Sequence, residues 1–123
     1  MGGVNPPCPV FVIDGHDIEL YPDAASAATE VEGYDAPTLD FIGADGTVYE
    51  AAIEGPEWGP VSLHDSGRNH LTELVDLLRA EATFRAVSLP GDLPDEPTAI
   101  WEVVMEAQRA RRTPRRRWCK RNR

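Results

Sequence analysis

Long apolar runs are missing from this chain of 123 residues. A bilayer-spanning helix needs about 20 consecutive apolar residues, so no membrane role is expected. The first residues, MGGVNPPCPVFVID, lack the basic segment and long apolar segment of a secretory leader, and the expected compartment is the cytoplasm. Lysine is nearly absent: 11 of the 12 basic residues are arginine and Lys120 stands alone. With its many alanines, this usage suits a GC-rich bacterial or phage gene. Cysteine is scarce too. Cys8 and Cys119 lie near opposite ends, outside any CxxC and away from histidine, which argues for two free thiols and against zinc.

Catalytic motifs are also missing. His16, His64 and His70 form no HxH or HExxH pattern, and Asp65-Ser66-Gly67 is not a nucleophile elbow. Gly43-Ala44-Asp45-Gly46 is not followed by GK[ST], so it reads as a turn and not as a phosphate loop. Asp14, Asp17, Asp45 and Glu50 lack EF-hand spacing. The expectation is a non-enzyme with no metal and no cofactor.

Charge is abundant and unevenly placed. Residues 1–96 hold 19 acidic side chains against Arg68, Arg79 and Arg85, a net of −16. Residues 97–123 hold nine basic side chains against Glu102 and Glu106, a net of +7. Solubility is ordinarily satisfied by a net charge of about 2 to 8, and a larger excess costs stability through self-repulsion. The acidic excess therefore points to a surface that steers a cationic partner.

The stretch from Leu39 to Glu54 reads as a hairpin. Two apolar-rich runs meet at Asp45-Gly46, a dipeptide that tolerates the positive φ of a tight turn. Upstream, Val10 to Ile13 and Asp17 to Tyr21 read as strands turned at Asp14-Gly15-His16. Asp23 caps a small-residue helix that Gly33 stops. Val61 to His64 reads as a last strand. A second helix, about Arg68 to Thr83, buries Leu71, Leu74, Val75, Leu78 and Ala82 and turns Glu73, Asp76 and Glu81 outward. The expected organisation is an acidic α+β domain over 1–87, a Pro-rich linker over 88–97, a helix over 98–112 and a disordered basic tail over 113–123. Its fold class is a small antiparallel sheet of about four or five strands, with helices packed on one face.

Between Val12 and Glu81 the order of elements resembles small acidic bacterial immunity proteins of toxin–immunity systems. Two strands end in Tyr21, a helix carries DAASAATEVE, and Tyr34-Asp35-Ala36 follows. A hairpin is tipped by Asp45-Gly46, and a Leu-rich helix covers Leu71 to Leu78. The resemblance implies a binding protein that neutralises a cognate toxin, possibly a nuclease, whose basic cleft meets an acidic surface. The candidate partner-binding residues are Glu54, Glu57, Trp58, Asp65, Glu73 and Asp76, chosen for charge, expected exposure and the value of Trp as an interface anchor. The alternative is a nucleic-acid-associated regulatory or phage protein acting through Arg112, Arg115, Arg116, Arg117, Trp118, Lys120 and Arg121, where arginines neutralise phosphates and the indole stacks on a base. The apolar residues Ile100, Trp101, Val104 and Met105 are expected to close the protein's own core, leaving a monomer or weak dimer.

Overall fold

The computed structural model describes residues 8–31, 33, 35–56 and 59–121, with side chains as far as 111. Five strands form one antiparallel sheet in the order β2-β1-β3-β4-β5: β1 (Val10–Asp14), β2 (Asp17–Tyr21), β3 (Asp40–Gly43), β4 (Thr47–Ile53) and β5 (Val61–Asn69). With α1 (Ala24–Glu30), α2 (Leu71–Phe84) and α3 (Pro97–Arg121), this is the expected small α+β fold with a C-terminal helix. The chain divides into two compact units, 1–74 and 75–123.

In the first unit, strand alternation sorts the apolar side chains. Val10, Val12, Phe41, Tyr49, Ala51 and Leu63 share one face with Ala24, Ala27 and Val31 of α1. Helix α1 touches β5 at one edge of the sheet and the β2–β1 pair at the other. Its alanines permit that close approach. Asp23 starts α1 as expected, its Oδ1 accepting the Ser26 N–H at 2.7 Å. The helix stops at Glu30, before Gly33. Val31 turns extended and packs into the core, so the β-branched side chain decides the end. Phe11, Ile13, Ile18 and Val48 are buried on the opposite face.

The Asp45-Gly46 tip is tied to the corner between β5 and α2. Gly46 N–H closes the turn onto the Gly43 carbonyl at 2.8 Å, and its own carbonyl accepts the His70 N–H at 2.8 Å. Asn69 reaches both ways: Nδ2 donates to the Asp45 carbonyl at 3.0 Å, and Oδ1 accepts the Leu71 N–H at 3.0 Å. The latter satisfies one of the open donors in the first turn of α2. Gly46 sits at φ +92°, and a Cβ there would meet Asn69 Oδ1 at 2.5 Å and Leu71 Cβ at 2.7 Å.

Strand β5 runs five residues past the expected end at His64. The pairing jumps from Tyr49↔Asp65 to Thr47↔Asn69, leaving extra residues on β5. Ser66 Oγ donates to the Val48 carbonyl at 2.6 Å, and Gly67 takes φ +83°. The polar run Ser66-Gly67-Arg68 hides a bulged strand, because its pairing is side chain to backbone.

In the second unit, Leu78, Ala82, Val87, Ile100, Trp101 and Val104 are buried, the last three on the face expected for them. Glu81 is not turned outward: it is 4% exposed and bonds Arg85 at 2.6 Å. Arg85 also donates to Gln108 Oε1 at 2.7 Å and lies 5.1 Å from the centre of the Trp101 ring. A carboxylate can be buried there because its charge and hydrogen bonds are answered locally. Helix α2 ends in a Schellman turn. Val87 N–H bonds the Ala82 carbonyl, Ala86 N–H bonds the Thr83 carbonyl, and Ala86 stands at φ +58° where glycine is usual. The Arg111 guanidinium donates to the Arg85 and Ala86 carbonyls just beyond. Helix α3 extends to Arg121, past the boundary at 112 drawn from sequence, and so includes Pro114.

Two stability effects follow from these turns. Gly46→Ala should lower the unfolding free energy by at least about 2 kcal/mol, from backbone strain plus collision with Asn69 and Leu71. Ala86→Gly should raise it by about 0.5–1 kcal/mol by relieving a left-handed alanine. Urea unfolding followed by circular dichroism measures both.

Candidate functional site

The β1–β2 hairpin places three carboxylates on the core-bearing face of the sheet. Its register pairs Asp14 with Asp17, Val12 with Glu19 and Val10 with Tyr21. Cross-strand partners share a face, so Asp14, Asp17, Glu19 and Tyr21 stand together beside Val12. The turn that permits this is Gly15-His16, with Gly15 at φ +61°. The end of α1 brings Glu30 and Val31. A short 3-10 turn, Ala36–Thr38, follows and brings Asp35, Thr38 and Leu39. These residues enclose a cleft of about 360 Å³.

Five carboxylates line this cleft, from Asp14, Asp17, Glu19, Glu30 and Asp35, and none of its described lining residues is basic. The electrostatic consequence is visible at Tyr21. Its hydroxyl donates to Glu19 Oε1 at 2.7 Å. That hydrogen bond, then partial burial and the negative charges of Glu19, Glu30 and Asp17, push the phenol up to about 12. Phenolate formation is opposed because it adds a negative charge to a negative site. Among the described residues, no three His, Cys, Asp or Glu side chains converge tightly enough to hold a metal ion. The carboxylates are spread along the cleft walls. Such a spread suits a cationic side chain that donates hydrogen bonds in several directions.

The residues singled out in the sequence do not gather at this cleft. Glu54 follows β4 and is exposed, its N–H bonding the Pro60 carbonyl at 3.0 Å. Asp65 is exposed on the edge strand β5, with Oδ1 accepting the Gly67 N–H at 2.8 Å. It lies four residues along β5 from Val61, the partner of Ile53, or about 13 Å away. Glu73 and Asp76 share one exposed side of α2. Glu57 and Trp58 lie outside the described residues. Arg112, Arg115, Arg116, Arg117, Trp118, Lys120 and Arg121 fall within the backbone span of α3, beyond its described side chains.

Sequence reasoning noted Asp14 and Asp17 as acids without a calcium spacing, and did not single out Glu19, Glu30 or Asp35. The alternation Asp17-Glu19-Tyr21 after a two-residue turn was the available signal. Nothing in the order of residues links it to Glu30 and Asp35. The most exposed large apolar side chain among the described residues lies elsewhere: Phe84, on α2, is 64% exposed.

Tyr21 should titrate near 12 in the folded protein against about 10 in the unfolded chain. Between those values the folded chain keeps a proton that the unfolded chain has lost, so this contribution to stability is full below about 10 and disappears as pH rises through about 12. Burial also raises Tyr49, so ultraviolet difference titration should show more than one late tyrosinate step, of which the one lost in Tyr21→Phe moves to lower pH in Glu19→Gln. Compared with protein-family models, curated proteins and solved structures, the chain matches none.

Proposed function

We propose that this chain is an immunity-type binding protein that neutralises a toxin by presenting carboxylates to its cationic surface, acting by occupation and not by catalysis. The observation that carries this reading is the cleft between the β1–β2 hairpin and the end of α1, lined by five carboxylates and no described base. The unit around it has 14 acidic side chains against Arg68 alone, a net of −13. Concentrated charge of one sign accelerates encounter with an opposite charge and favours partners whose arginines or lysines match its pattern. If the toxin is a nuclease, the carboxylates stand where its substrate's phosphates stand. Glu54, Asp65 and Glu73 add exposed carboxylates to the same unit, away from the cleft. Among the described residues no helix is long and apolar enough to cross a membrane.

The second reading, nucleic-acid binding through the arginine-rich end, draws on the reach of α3 to Arg121, which sets eight bases and no acid on its last 13 residues. The strongly acidic first unit repels the same polyanion, which favours the first reading.

The test is capture of a partner from the source cell by the full chain, with nuclease treatment, followed by kinetics with the purified partner. A nuclease-resistant protein partner whose own toxic activity is inhibited is expected. The triple variant Asp17→Asn, Glu19→Gln, Asp35→Asn should slow its association about tenfold or more at low salt, and much less at high salt. An association rate indifferent to the triple variant sinks the cleft as the binding centre. Recovery of nucleic acid alone, lost on removing residues 113–123, transfers the function to α3.

A further inference from the structure

The two edges of the sheet differ. Strand β5 is interrupted by its extra residues and by Gly67 at φ +83°, which spoils the even spacing that an added strand needs. Strand β2 has no such break: all five of its residues pair with β1 in unbroken register. Among the described residues no second strand pairs with it.

The turn fixes which backbone groups β2 leaves open. Gly15 and His16 alone separate Asp14 from Asp17, so that pair closes the hairpin as a hydrogen-bonded one. Bonded pairs then alternate. Val12 with Glu19 and Val10 with Tyr21 are bonded, and Ile18 and Leu20 turn their N–H and C=O groups away from β1 to the outer edge. Among the described residues neither makes a backbone bond outside the sheet. The side chains of Asp17, Glu19 and Tyr21 stand on the cleft face of this same edge. Asp17 and Glu19 are exposed, and the Tyr21 hydroxyl holds Glu19 at 2.7 Å.

We infer that the partner adds a strand to β2, as an extended segment carrying arginine or lysine at alternate positions. Such a strand lies about 4.8 Å beyond β2 and exchanges main-chain hydrogen bonds with Ile18 and Leu20. Every second side chain then falls on the cleft face beside Asp17, Glu19 and Tyr21, with Glu30 and Asp35 lining the same cleft. Main-chain bonds hold a segment of this kind, and its alternate side chains select it. The β2 strand of a second copy does not fit, because it would set Asp17 and Glu19 against their own kind. This inference rests on the reading of the cleft as the binding centre for a cationic partner, and adds the form in which that partner is held.

The probe is a blocked seven-residue peptide in which threonine alternates with arginine, mixed with the full chain. Its control is the same peptide with every threonine amide methylated, which keeps the charge and removes the donors that face β2. The first peptide should bind, more weakly as salt is added. It should slow amide exchange at Ile18 and Leu20 at least about tenfold, read by nuclear magnetic resonance. The methylated peptide should bind at least about tenfold more weakly. Leu20→Pro removes one outward donor and no bond to β1, so it should weaken binding of the first peptide by a similar factor with unchanged far-ultraviolet circular dichroism. Equal binding of the two peptides, or binding without protection of Ile18 and Leu20, overturns strand addition and leaves the cleft as a binding centre that works by charge alone. Binding of neither peptide overturns it as well, and the association rate of the triple cleft variant with its captured partner then judges the cleft separately.

Discussion

The junction of the Asp45-Gly46 tip with the start of α2 is the constraint on which the rest of the first unit depends. One glycine meets two requirements there: a left-handed φ and room for Asn69 and Leu71 where a Cβ would stand. Asn69 then bonds the hairpin and the first turn of α2 with the same amide group. Because the tip is fixed, the register of β3 against β4 is fixed, and β5 must absorb its extra residues as a bulge. Strand alternation then carries the consequence across the sheet. A slip of one residue would send Val10, Val12 and Phe41 to the wrong face and take Asp14, Asp17 and Glu19 away from the cleft.

Charge is managed differently in the two units. In the first, five carboxylates line a cleft whose described lining holds no base, and the Glu19 hydrogen bond with the surrounding negative charge makes Tyr21 resist ionisation. In the second, a carboxylate is answered within the fold: Glu81 is buried but held by Arg85, which Gln108 and Trp101 hold in turn. Breaking such a buried pair typically costs about 3–5 kcal/mol, whereas exposed pairs such as Glu50–Arg68 contribute little.

Most elements were legible in the sequence because local signals agree with the fold. Asp23 announces α1, Asp45-Gly46 announces the hairpin, and the leucine stripe announces α2. The misreadings have physical causes. The second half of β5 is hidden because Ser66-Gly67-Arg68 looks like a turn, yet it pairs through the Ser66 hydroxyl. The orientation of Glu81 is hidden because helix periodicity treats every carboxylate as an outward residue, and its partner Arg85 lies at the helix end. The start of α2 falls three residues after the expected Arg68, because β5 runs on to Asn69, whereas its end at Phe84 lies one residue from the expected Thr83 even though alanine takes the left-handed position where glycine is usual.

The sequence by itself determined the α+β class, the hairpin at the centre of the sheet and the separation of acidic from basic charge. These depend on periodicity, turn chemistry and composition, which are local or additive along the chain. Only the tertiary structure decided which carboxylates share a site. Asp14, Asp17 and Glu19 come together through cross-strand register, and Glu30 and Asp35 join them because α1 lies against the sheet. Proximity between residues 14 and 35 is a property of the closed fold, set by the packing of Ala27 against Val10, Val12 and Phe41, and no spacing in the linear chain encodes it.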